Sequence, residues 1–359
     1  MWPYLVMFFV PALVAMTEVR RPVKAHQVIF RWDLPWLVAG LMLTMLVGLR
    51  YEVGGDWANY LKNFDEATYR DFFLSLTWDD PGYRLVEWLA LQLDWGIAGV
   101  NVVCALMFSL GLTVFCQNLP RPWLSLSVAM PYLVIIVGMG YTRQAVAIGC
   151  AMIGLVALER QRVRLFLFWV LLAATFHKSA VLLLPIAALA ATRHRWWIAF
   201  WVLVVTALAY VLMLQESVDA LRANYIDAEY ESEGAFVRLL MNALAAALFL
   251  WYRRKFPMTI SERKLWTLFA LLSFGLLGAY FVSPSSTAVD RVALYMLPLQ
   301  PVVFAYLPEA LGPPRGKNIL PVLGILIYYA SVQLVWLNFA NNAEYWLPYR
   351  SFIVDLPSP

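Results

Sequence analysis

Residues 96–115 read "GIAGVNVVCALMFSLGLTVF", a long stretch with no charge and no alternation of polar and apolar positions. A transmembrane helix needs about 20 predominantly apolar residues, whereas a barrel strand needs about 10 that alternate. Inside lipid the backbone must satisfy its own hydrogen bonds, which leaves only helices or closed barrels. The absence of alternation selects the helix. The rest of the chain agrees: of 359 residues 62% are apolar and 14% charged, with a mean hydropathy of +0.68. Soluble domains run at about 45–50% apolar and about 25% charged. The sequence therefore predicts an all-α, polytopic integral membrane protein.

Working outward, crossings are expected near residues 3–17, 34–50, 97–117, 123–139, 142–158, 163–176, 179–191, 196–214, 235–252, 265–282, 292–307 and 319–338, about 12 in all, within a range of 10–13. The segments 163–176 and 179–191 are short for full crossings and read as a hairpin that dips into the bilayer. The stretch "GYRLVEWLALQLDWG" predicts an interfacial or re-entrant helix over 83–94, its apolar spacing interrupted by Arg84, Glu87 and Asp94. With no repeat, low-complexity tract or linker, residues 1–359 form a single domain. The apolar start "WPYLVMFFVPALVAM" lacks a basic leader and a small-residue cleavage site, so it reads as a retained first helix.

Lys and Arg cluster at Arg20, Arg21, Lys24 and Arg31, at Arg160, Arg162 and Arg164, at Arg193 and Arg195, and at Arg253, Arg254, Lys255, Arg263 and Lys264. Twelve alternating crossings put all these loops on one side, the cytoplasmic side by the positive-inside rule. Both termini then face outward, as do the acidic segments 51–96 and 215–234. Cys104, Cys116 and Cys150 lie in apolar runs without metal-ligand spacing and read as small core residues, with no metal site or disulfide framework.

Five polar constellations fall at the outer ends of helices. In "LRYEVGGDWANY", Arg50 and Glu52 precede the turn-forming Gly54 and Gly55, then Asp56 and Tyr60. The plain alternative is a solvated turn. In "YTRQAVAIG", Arg143 and Gln144 open a helix, where a cation opposes the macrodipole. A helix N-terminus and a guanidinium both suit an anion such as a diphosphate, although an arginine snorkelling to headgroups would look similar. "FHKSA" sets His177 and Lys178 within apolar sequence, as a proton-moving group or as structural anchors. "SPSSTAVDRVALYMLP" places Asp290 and Arg291 at a helix start, with Tyr295 a turn later. Asp290 there suits an N-cap, and Arg291, like Arg143, stands against the dipole. The tail "NNAEYWLPYRS", with Tyr349 and Arg350, is the weakest of the five.

No P-loop, nucleotide fingerprint, GxSxG or HExxH occurs, so any chemistry draws its energy from the substrate itself. No cofactor is called for, and nothing points to nucleic acid.

Taken in order, "GLRYEVGGDWANY", "PGYRLVEWLA", "TRQAVAIG", "RLFLFWVLLAATFHKSAVLLLP" and "DRVALYMLPL" resemble the EpsG family of exopolysaccharide polymerases, the Wzy-like membrane proteins, over roughly residues 40–310. The resemblance implies a GT-C-like membrane glycosyltransferase on the outer face of the cytoplasmic (inner) membrane. It would move a growing glycan from undecaprenyl diphosphate to the terminal sugar of an incoming lipid-linked repeat unit. On this reading Arg143 and Arg291 bind the diphosphate, and Asp56 or His177 takes the acceptor proton. Arg50, Glu52, Tyr60, Tyr83, Gln144, Lys178, Asp290 and Tyr295 support or contact substrate. Its partners would be the undecaprenyl-diphosphate-linked donor and acceptor and the bilayer, with a chain-length regulator and a flippase of the pathway left open. An O-antigen-ligase-like transferase, a membrane O-acyltransferase using His177, a lipid-linked-oligosaccharide flippase and a non-catalytic scaffold are the competing readings.

Overall fold

The structure, a computed structural model, describes residues 1–20, 33–69, 71–73, 80–190, 197, 200–204, 207, 234–313 and 316–354. The crossing expected at 196–214 and the acidic segment 215–234 lie largely outside the described residues, as do Arg21, Lys24, Arg31, Arg193 and Arg195 wholly. Among the described residues the chain is helical throughout, and its only β-type pairing is an isolated bridge between Arg50 and Ser351.

The helices are α1 (Trp2–Thr17), α2 (Leu34–Gly48), α3 (Trp57–Ala67), α4 (Pro81–Gln92), α5 (Gly96–Gln117), α6 (Pro122–Gly138), α7 (Thr142–Glu159), α8 (Val163–Phe176), α9 (Leu184–Ala190), α10 (Ala235–Tyr252), α11 (Ile260–Tyr280), α12 (Ser286–Ala293), α13 (Leu299–Leu311) and α14 (Ile319–Phe339). Among the described residues four are long and apolar enough to cross a membrane, namely α5, α7, α10 and α14. The bent pair Ser286–Met296 and Leu299–Leu311 makes a fifth, and α1, α2, α6 and α8 are apolar but shorter. Apolar side chains stand exposed on the outer faces, such as Leu13 at 69% and Leu320 at 81%. Water would penalise so broad an apolar surface; the molecule is membrane-embedded.

Local chemistry sets the helix boundaries. Prolines stand in the first turns of α1, α2, α4 and α6, where a missing N–H costs nothing. Thr259 and Glu262 form a reciprocal capping box on α11. In α6 the stretch Met130–Gly138 widens into a π-helix, with Pro131 in its first turn removing one donor from the ladder. The crossing expected at 292–307 is instead broken, with a 46° bend at a junction holding Pro298. The helix expected over 83–94 runs from Pro81 to Gln92, and α3 precedes it unforeseen.

The middle of the bundle is α5 and α7, pressed together at two glycines. A Cβ on Gly111 would lie 2.2 Å from the Gly149 carbonyl oxygen, so only glycine permits this approach. Hydrogen bonds define two polar ends. At one, Arg121 binds Glu309 and the carbonyls of Glu18, Gly316 and Lys317, and Arg160 donates to Asn118. At the other lie the constellations that the sequence assigned to outer loops.

Candidate functional site

The site begins where α2 stops. Arg50 turns back into the protein, 1% exposed, donating to the carbonyls of Val47 (2.5 Å) and Val53 (3.2 Å), to Thr142 Oγ1 (2.7 Å) and to Asn101 Oδ1 (3.3 Å). It orders the loop from within the protein. Gly54 then turns sharply at φ +108°, its N–H donating to the Tyr345 carbonyl. A Cβ there would sit 2.4 Å from the Met139 carbonyl oxygen, so Gly54 answers both to its angle and to its neighbour. The turn delivers Asp56 to the N-terminus of α3, where its side chain makes no capping bond.

Asp56 enters a cavity of about 1050 Å³. Its lining includes Gly55, Asp56, Arg238, Asp290 and Arg291, the apolar Val237, Val332, Val335 and Phe339, the rings of Tyr132 and Tyr328, and the polar Thr287, Ser331, Asn341 and Asn342. Burial pushes the Asp56 carboxyl above its usual range, and the positive charges of Arg291 and then Arg143 pull it partway back. Arg291 lies over the Tyr141 ring, 4.1 Å from its centre, with its Nη1 3.5 Å from Gln144 Oε1. Among the described residues it makes no ion pair. Gln144 fixes it from below by donating to the Arg291 carbonyl at 2.7 Å.

Two expectations about this helix are corrected. Ser285, not Asp290, caps α12, its hydroxyl accepting the Ala288 N–H. Asp290 stands further along and takes a bidentate grip from Arg238, at 2.6 Å to each oxygen, with both side chains buried. Arg291 occupies the last turn of α12, not the first, so it complements the helix dipole there. The helix begins further ahead of Asp290 than the Ser-rich loop suggests, because Ser285 caps it.

Arg143 does stand in the first turn of α7, and its backbone N–H reaches Tyr60 Oη at 3.5 Å. Its guanidinium points away from the cavity lining, to Asp80 Oδ2 at 3.0 Å and over Tyr83 at 5.8 Å. The other Asp80 oxygen accepts the Lys178 backbone N–H at 3.2 Å. His177 ends α8 and caps the following 3-10 turn: its Nδ1 accepts the Ser179 N–H at 3.4 Å and lies 2.8 Å from the Ser179 hydroxyl. That hydroxyl is 3.1 Å from Tyr295 Oη. Asp56 and Arg291 thus share a cavity, while Arg143, Lys178, His177 and Tyr295 form an adjoining network that reaches Asp56 through the field of Arg143.

Two further features concern α4 and the tail. Arg84 and Glu87 form a buried ion pair at 2.6 Å, while Leu85, Trp88 and Leu89 face outward. The helix is apolar outside and charged inside, the arrangement lipid demands and the reverse of a water-facing amphipathic helix. The tail is structural: Tyr4 donates to the Trp346 carbonyl, Trp346 Nε1 to the Ile135 carbonyl, and Tyr349 to the Leu46 carbonyl. Glu52 pairs with Arg350 at the exposed surface, so it anchors this tail.

Two residues of the site escaped the sequence reading. Asp80 precedes Pro81 and looks like an ordinary N-cap, yet its side chain makes no cap bond and reaches across to α7 and the segment after α8. Arg238 is a cation inside an apolar run, which at membrane depth is itself a functional signal.

A family model described as EpsG family matches residues 33–351. The match extends beyond the 40–310 core through the tail that closes over the cavity. Neither a curated protein nor a solved structure matches the chain.

Proposed function

Because the chain belongs to the EpsG family, an exopolysaccharide polymerase-like group of membrane proteins, we propose that it transfers a growing glycan from undecaprenyl diphosphate to the terminal sugar of a lipid-linked repeat unit. On this proposal the polar end with the cavity faces outward from the cytoplasmic membrane, and the chain crosses about 12 times in a GT-C-like arrangement with both termini outside. The observation that carries the reading is the pairing, in one cavity, of a carboxylate raised by burial with a guanidinium that makes no ion pair among the described residues.

The chemistry follows from that pairing. The acceptor hydroxyl oxygen attacks the anomeric carbon of the donor sugar and gives its proton to the Asp56 carboxylate. The bond from that carbon to the diphosphate oxygen breaks, and the leaving diphosphate takes the electron pair. Arg291 meets the charge that develops, and Arg143 adds its field from the neighbouring network. Preorganised charge of this kind is worth about 10²–10³ in rate for each donor removed. A raised carboxyl is a better base near neutral pH than an ordinary one, worth about 10²–10⁴. His177 serves the scaffold on this reading, because its Nδ1 is engaged at the 3-10 turn.

The test is incubation of the purified protein with a defined undecaprenyl-diphosphate oligosaccharide, followed by gel separation. A ladder of products is expected. A single transfer to another acceptor, acyl exchange, or no product at all defeats the proposal.

A further inference from the structure

The cavity continues past Asp56 and Arg291 along one side of α14, where Tyr328, Val332, Val335 and Phe339 recur at helical spacing. These positions cover about 16 Å of helix at 1.5 Å per residue. Val237 of α10 forms part of the facing wall. The helices α10 and α14 each pack on α13 but not appreciably on one another. The groove between them is open to the side: Val335 is 56% exposed, Phe339 80% and Val237 55%. A soluble ligand gains nothing from a lateral apolar opening in a lipid-facing wall. An amphiphile with an anionic head and a single long apolar chain fits both parts at once, because one cavity lining holds both Arg291 and the apolar stripe of α14.

We propose that this groove is the entry and seating site for the isoprenoid chain of the diphosphate carrier, with α10 and α14 as its two jambs. The inference rests on the proposed function and deepens it by locating the carrier's tail. The diphosphate lies against Arg291, the first isoprenes lie on Val332, Val335 and Phe339, and the rest of the chain stays in the bilayer. Loading is then lateral, from the membrane, and the sugar reaches Asp56 last.

The experiment uses the wild-type full chain in lipid nanodiscs and a sugar-free isoprenoid diphosphate bearing a photoreactive group on its second isoprene. Labelled peptides should fall within Tyr328–Phe339 or around Val237, and undecaprenyl diphosphate should compete while phosphatidylglycerol does not. Labelling of outer lipid-facing positions such as Leu13 or Leu320, or equal competition by phosphatidylglycerol, overturns the site as one for annular lipid only. A second measurement compares donors with long and short prenyl chains on V335W. The KM for the long donor should rise at least about tenfold more than for the short one. Equal effects overturn the tail site and leave the proposed function standing. Conversely, site-specific labelling of a wild-type protein that elongates neither donor keeps the groove and removes the polymerase.

Discussion

At the end of the bundle where α6 starts and α13 stops, Arg121 is fully buried and meets four acceptor groups: one carboxylate and three carbonyls. At the other end Arg291 is half-buried, rests on a tyrosine ring and, among the described residues, its guanidinium meets only an amide oxygen at 3.5 Å. Both are arginines at helix ends of one protein, yet the first is used up in holding α1, α6, α13 and the loop after α13 together. The second keeps its guanidinium open toward a cavity, next to a carboxylate without a capping bond. A buried charge that is paired leaves its partner stranded when it is removed, at a cost of about 3–5 kcal/mol to the fold, whereas a half-buried charge left open is available to a ligand. The contrast separates structural from functional charge more sharply than residue type does.

Substitutions can break that contrast. Asp56→Asn should lower polymer formation by about 10²–10⁴-fold while leaving thermal unfolding unchanged; a variant that keeps wild-type turnover would transfer the base role elsewhere. Arg291→Ala should cost about 10²–10³-fold in turnover, again without loss of stability. Arg121→Ala should do the reverse, removing about 3–5 kcal/mol of stability by stranding Glu309 and the carbonyls around it, read as a lower thermal midpoint in detergent. Should Arg291→Ala unfold the protein as readily as Arg121→Ala, the two ends are alike and the distinction fails.

A smaller effect sharpens it through pH. Asp56 works as a base only when ionised, so activity falls as pH drops through its raised pKa, and the acid limb should lie above the ordinary carboxylate value of 3.8. Arg291 is the largest charge pulling that pKa down. Arg291→Gln should therefore move the acid limb of its residual activity to higher pH, measured as kcat/KM against pH. Arg121→Lys, at the far end, should leave the limb where it is.

Much of this was legible from the amino-acid order. Composition and unbroken apolar runs force helices in lipid, and Gly54, Asp56 and Arg143 were found at turns and helix starts because those positions have local signatures. Arg291 was found too, but on the wrong turn of its helix: Ser285, Ser286 and Thr287 are all plausible caps, and which of them begins α12 depends on tertiary packing. The inward pairing of Arg84 with Glu87 was hidden because an amphipathic pattern shows that a helix has two faces without saying which one meets the protein. Asp80 was hidden because a residue that resembles a cap has no local mark of a partner on another helix. Arg238 was readable and overlooked, since its long apolar surroundings drew attention to the crossing and away from the cation within it.

The contact between Gly111 and Gly149 carries a consequence for how the protein must move. At that contact backbone meets backbone and no side chain can give way, so α5 and α7 are held close there, and Arg143 rises from the first turn of the second of them. The break that could bend lies elsewhere, where α12 and α13 meet at a 46° elbow. Replacing either glycine by alanine should therefore wedge α5 and α7 apart, whereas a substitution at Pro298 acts on the elbow and leaves that contact intact.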